Sequence, residues 1–133
     1  MRTVFKNCTL LDGTKDMTAK AGTDIAIYGD KIAEIGNIEP KSDDKIIDLG
    51  GRYLMPGLIN LHVHLPAGGK PKNKPLKAEK LTKLALSSGL MREIVIGMCH
   101  SYAMQGLMAG VTTIRAVGGL ADFDTKLRDR INC

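Results

Sequence analysis

The sequence predicts an α/β chain: a small β-rich domain over residues 1–56, then strand–helix units over residues 57–133. Three observations predict it. Short alternating apolar runs, bounded by glycine and aspartate, fill the first 55 positions. Pro56-Gly57 then punctuates the chain. Beyond it the pattern runs strand, helix, strand, helix, which calls for parallel strands joined by crossover helices.

Thr3–Leu11 alternates, with Val4, Cys8 and Leu10 on one side and Phe5 and Leu11 on the other. Asp12-Gly13-Thr14 turns the chain, and a polar stretch follows to Gly22. Residues 24–28 and 31–35 are short strands separated by Gly29-Asp30, a two-residue hairpin signal that predicts antiparallel pairing. Gly36, Pro40, Asp43 and Asp44 mark a loop before a strand at Lys45–Leu49. Gly50-Gly51 leads into Arg52–Met55.

Leu58–His64 predicts the first strand after the boundary. From about Leu76 to Ala109 the composition is helical but too long for one helix, and Ser87-Ser88-Gly89 predicts the break. Met91, Ile94, Val95, Met98, Tyr102 and Gln105 recur at helical spacing with apolar neighbours, which predicts a helix buried on most sides. Gly110 suits a left-handed C-cap. Val111–Val117 is the next strand, and Asp122 is placed to cap a helix running to Ile131. Glycines 13, 29, 57 and 110 fit turns and caps, and none builds a phosphate-cradling loop.

A chain of 133 residues with 44% hydrophobic and 25% charged residues has room for one ordinary domain or two small ones. The most apolar region, Leu84–Ile114, is interrupted by Arg92, Glu93 and His100, so no membrane span is expected. Met1 is followed by a strand-like run, so no signal peptide is expected either. Cys8, Cys99 and Cys133 are scattered and odd in number, which excludes a disulfide framework and points to the cytoplasm. The net charge of +5 has one address: residues 70–83 hold six lysines and one glutamate. That stretch lacks arginine and aromatics, so it is read as a solvated loop running into a helix, and no nucleic-acid partner is expected.

Asn60, His62 and His64 stand at alternate positions of one strand and share a face. Two imidazoles so placed can converge on one metal ion, although for a bare His-x-His pair ordinary packing or chance is the favoured reading. His100 reads as a satisfied helix histidine, and Met91, Met98, Met104 and Met108 as adaptable core filler. Cys99 and His100 are adjacent helical positions that diverge by about 100°, so they make no nucleophile–base pair. Arg115 is open to two readings, a substrate carboxylate partner or a structural ion pair.

Four fragments in order widen this reading: TLLDGT near the start, IYGDKIAEIG, IIDLGGRYLMPGLINLHVHL and AGVTTIRAVGG. Together they resemble the amidohydrolase superfamily, within it the imidazolonepropionase-like and X-Pro-dipeptidase-like branch. The resemblance implies a small β-rich, sandwich-like domain followed by a (β/α)8 metal-dependent hydrolase barrel. It implies metal ligation by His62 and His64, with one or two divalent ions, usually zinc, activating a water that attacks a C–N carbonyl. At Ala116 the sequence departs from the family, where aspartate is common. The remaining ligands and the general base belong to later strands, so no catalytic residue is expected within this chain.

Residues 57–133 number 77. A complete barrel of this kind takes about 200–250 residues. The expectation is therefore the first two strand–helix units of eight, incomplete in this chain and inactive alone. The implied partners are a small amide, cyclic amide or dipeptide-like substrate and the remainder of the barrel or a companion chain; a homo-oligomer is compatible with this. The alternative is a non-catalytic fragment or pseudo-enzyme module that assembles with a partner chain.

Overall fold

A computed structural model describes residues 1–66 and 78–132, which fall into two compact units, Met1–Pro56 and Gly57–Cys133. The first unit is a five-stranded sheet: β1 (Arg2–Leu10), β2 (Lys20–Tyr28), β3 (Lys31–Gly36), β4 (Lys45–Asp48) and β5 (Tyr53–Leu54). β1, β2 and β3 run antiparallel in succession, and the Gly29-Asp30 turn joins β2 to β3 with Tyr28 opposite Lys31. Gly29 takes φ +61°, a conformation glycine reaches without steric cost. β2 begins at Lys20, earlier than its apolar run. Its polar start is held by backbone pairing to β1, with Leu10 opposite Lys20.

A bulge organises the opposite edge of this sheet. Asn7 adopts φ 56°, and the ladder slips between Phe5 and Cys8, where three steps on β1 face two on β2. β4 lies parallel to β1 before the bulge, from Thr3 to Lys6, and β5 lies parallel beyond it, at Thr9 and Leu10. Between them the Gly51 amide donates to the Asn7 carbonyl at 2.7 Å. Both late strands therefore extend one edge of β1. The sandwich-like expectation is corrected here: among the described residues the unit has one sheet, because β4 and β5 add to it and start no second layer.

Its core is small, with Val4, Ala26 and Ile38 in one cluster and Cys8, Leu10 and Ile25 in another. Beside them lies Asp24, only 3% exposed. Its carboxylate accepts from Lys6 Nζ at 2.5 Å, from the Asn7 amide at 2.9 Å and from the Ile38 amide at 3.0 Å. Burial alone would raise this carboxyl, but the Ile38 amide, the Lys6 ammonium and the Asn7 amide outweigh it and hold the pKa at about 2. A buried charge is tolerated because both carboxylate oxygens accept hydrogen bonds, one of them from an ammonium.

The second unit contains β6 (Leu58–Val63), α1 (Ala78–Ala85), α2 (Gly89–Met108), β7 (Val111–Ala116) and α3 (Phe123–Asn132). β6 and β7 pair in parallel, as the strand–helix order requires. The helical run breaks at Ser88, whose side chain caps α2 by accepting from the Met91 amide at 3.2 Å. Gly110, with φ 89°, ends α2, and its carbonyl receives the Leu58 amide at 2.9 Å. Asp122 pairs with Lys126 at 3.1 Å one turn into α3. Leu65, Ala85, Ile96, Cys99, Phe123 and Leu127 form the core.

α2 departs from expectation. Only Ile96 and Cys99 are buried along it, whereas Ile94, Met98, Met104, Leu107 and Met108 are exposed. Three of the four methionines are thus not core filler, and His100 is an exposed helix residue. An apolar helix buries only the faces that meet a neighbour. α1, α3 and β7 cover one side of α2, and the other side has no partner among the described residues. Residues 70–77 of the lysine-rich stretch lie outside the described residues; Lys80 and Lys83 are exposed on α1, and Lys83 pairs with Glu79 at 2.8 Å. No helix among the described residues is long and apolar enough to cross a membrane.

Candidate metal centre

Strand alternation decides where the two histidines point. Val63 packs against the helix-side core, and His62 and His64 share the other side of β6, although the ladder to β7 is irregular between Asn60 and Val63. His62 is the penultimate strand residue, and His64 follows the last. Their rings meet edge to face, with centroids 5.1 Å apart and planes at 71°. The two Nε2 atoms are 3.2 Å apart. Two zinc–nitrogen bonds of about 2.0–2.1 Å close over that separation at an angle of about 100°, near tetrahedral. The donor set and spacing fit a divalent ion held by both Nε2 atoms.

Each histidine is anchored from the backbone side. The Asn60 side-chain oxygen accepts from the His62 amide at 3.1 Å, so Asn60 braces the strand. His64 Nδ1 lies 3.2 Å from the Gly118 carbonyl, just past the end of β7. Nearby, the Val117 amide donates to the Val63 carbonyl at 3.0 Å, continuing the parallel ladder to the level of the histidines. The sequence analysis did not find this contact. The paired glycines directly after the second strand were its one local signal.

The other sequence candidates remain apart from this pair. Arg115 is exposed on β7 and makes no hydrogen bond or ion pair with any described residue, including either histidine. Ala116 stands opposite Val63 in the ladder, and with Ile114 it lines a cavity beside Leu127 of α3. An acidic side chain at position 116 would therefore point to the helices and not to His62. Cys99 is buried and its thiol is pushed up by burial, with Asp124 adding to the shift. Among the described residues no third histidine, cysteine, aspartate or glutamate joins His62 and His64. A second cavity of about 480 Å³ is lined by His64 and Gly118 together with apolar side chains, Met91, Ile94 and Met98 among them.

A parallel β–α arrangement with paired histidines at a strand's C-terminal end defines the class: an α/β unit with a candidate ligand pair at its strand ends. Comparison with known proteins makes this more particular. No protein-family model matches the chain. The 5-methylthioadenosine/S-adenosylhomocysteine deaminase of Thermococcus onnurineus is 37% identical over a 140-residue alignment, covering 92% of this chain and 32% of that protein. The dihydroorotase of Bacillus licheniformis is 36% identical over 77 residues, 58% of this chain and 17% of that protein. In structure, a Xaa-Pro dipeptidase with bound methionine in its active site matches 99% of the chain and 30% of its own, at 29% identity and a TM-score of 0.77. A crystal structure described as an amidohydrolase matches at 27% identity and a TM-score of 0.72. Sequence and structure thus both show the resemblance to the amidohydrolase superfamily. The chain spans about a third or less of the length of these relatives.

Proposed function

We propose that this chain is the N-terminal portion of a metal-dependent amidohydrolase that cleaves C–N bonds in a small amide, cyclic amide or dipeptide-like substrate. The observation that carries this reading is the 3.2 Å approach of His62 Nε2 to His64 Nε2 on one strand face. In it, residues 1–56 are a β-rich domain and residues 57–133 are the first two strand–helix units of a (β/α)8 barrel. His62 and His64 hold one or two divalent ions, zinc by choice of neutral nitrogen donors. A divalent ion held by His62 and His64 would supply Lewis acidity for activating a water and polarising the scissile carbonyl. The chain's own part is to fix the two rings at the mouth of the site. Arg115, exposed and without an ion pair among the described residues, is placed to meet a substrate carboxylate. The general base and the remaining ligands come from the rest of the barrel or a companion chain, and the whole works in the cytoplasm.

Two exposed apolar residues of β6 support assembly with further barrel structure. Ile59 and Leu61 are 64% and 65% exposed, on a strand whose parallel pairing normally has both faces covered. The test is to express the chain with whatever follows it in its native reading frame and replace His62 and His64 with alanine. Each variant should lose bound zinc and hydrolysis. Full zinc occupancy in the double variant overturns the reading.

A further inference from the structure

We propose that the Gly118 carbonyl is a positioning group that fixes His64 in its Nδ1–H tautomer and so aims the Nε2 lone pair at His62. The inference rests on reading the two histidines as a metal pair, but it also makes a claim about the metal-free chain. A carbonyl oxygen only accepts, so the 3.2 Å contact from His64 Nδ1 to Gly118 requires the proton on Nδ1. The neutral ring then carries its lone pair on Nε2, 3.2 Å from His62 Nε2. Two lone pairs facing each other at that distance would repel. His62 therefore keeps its proton on Nε2 and donates to His64. Two histidines on one strand hold opposite tautomers.

The backbone that delivers this carbonyl is built around two glycines with different jobs. Gly118 has φ +69°, and a Cβ there would lie 3.7 Å from His64 Cε1, an ordinary contact. Its requirement is conformational, since L side chains rarely adopt that φ. Gly119 faces the end of the Asp124 side chain instead. A Cβ on it would lie 2.8 Å from Asp124 Oδ2 and 2.9 Å from Asp124 Cγ. Asp124 sits in the first turn of α3, with its Oδ1 accepting from the Thr125 amide at 2.9 Å. The carboxylate occupies the volume a side chain at position 119 would take.

Metal binding then makes unequal demands on the two rings. His64 already presents Nε2 as a lone pair. His62 must release its Nε2 proton to water and take one at Nδ1, so the neutral ring changes tautomer with no net loss of charge or protons. The experiment is long-range ¹H–¹⁵N NMR of the histidine rings in the full 133-residue chain at about pH 8, above the ordinary imidazole pKa of about 6.5, without and with zinc. Without zinc, His64 should be the Nδ1–H form and His62 the Nε2–H form. Added zinc should switch His62 and leave His64 unchanged.

Gly118→Val places a β-branched residue at φ +69°; it should return His64 to the tautomer mixture of free imidazole and weaken zinc binding about 10–100-fold. Gly118→Ala, a milder change at the same φ, should move both readouts in the same direction by less, and it keeps the test open if Gly118→Val does not fold. An Nε2–H form of His64 in the unmodified chain overturns the proposal. So does a folded Gly118→Val variant with unchanged tautomer and zinc affinity. A chain whose His64 is Nδ1–H but whose zinc affinity is unchanged by replacing both His62 and His64 with alanine upholds the positioning contact and defeats the metal reading.

Discussion

The His64 ring is held by a residue 54 positions further along the chain: its Nδ1 lies 3.2 Å from the carbonyl of Gly118. That contact ties the end of β6 to the turn after β7. It turns a two-residue sequence motif into a site with a defined ring orientation. A metal ligand fixed through its second nitrogen loses less freedom on binding than a ring free to rotate.

Unit 1 should be acid-sensitive through Asp24. Its folded pKa of about 2 lies below the ordinary aspartate value of about 3.9. A depressed carboxyl contributes stability that is fully present above about pH 4 and is lost as pH falls through about 2. Asp44, held at about 2 by its hydrogen bond from Arg2, acts in the same direction and window. Asp24→Ala leaves the Asn7 and Ile38 amides without their acceptor and should cost about 2–5 kcal/mol at neutral pH. Amide hydrogen exchange of β1 and β2, followed from pH 7 to pH 2, checks both statements. Equal protection in variant and parent would refute the role of Asp24.

Gly57 should tolerate no side chain. A Cβ at this position would overlap the Thr112 side chain on the neighbouring strand. Gly57→Ala should therefore destabilise unit 2 by about 1–3 kcal/mol through overpacking. Thr112→Gly in the same chain opens the space and should recover part of the loss. Urea unfolding monitored by far-ultraviolet circular dichroism reads the difference.

The 133-residue chain by itself should show no hydrolase activity. Its described residues supply two imidazoles to the candidate centre and no carboxylate, whereas a catalytic zinc typically takes three protein ligands and one water. The assay is purified chain with added zinc against N-acyl amino acids, dipeptides and cyclic amides. Turnover that disappears in His64→Ala would prove the expectation wrong.

Much of the architecture was legible where its cause is local. The Gly29-Asp30 hairpin, the helix break at Ser87-Ser88-Gly89 and the alternation that brings His62 beside His64 all depend on residues within a few positions of one another. What escaped depends on distant partners. Asp24 reads as an ordinary polar residue until the Asn7 bulge and the Ile38 amide close around it. Gly57 reads as a turn glycine, yet its role comes from Thr112 across the ladder. The exposed side of α2 was misjudged because apolar composition says a face prefers burial and not which neighbour covers it. The single sheet of unit 1 escaped for a related reason. Nothing in residues 45–55 states that β4 and β5 join the same edge of β1.

The central claim is that His62 and His64 bind one metal ion together through Nε2. Extended X-ray absorption at the zinc edge of the zinc-loaded chain measures this directly. The account predicts two imidazole nitrogens at about 2.0–2.1 Å in the parent chain and one in His64→Ala, with light-atom oxygen ligands completing each shell. A zinc shell containing sulfur, or one unchanged when both histidines are replaced, would contradict it.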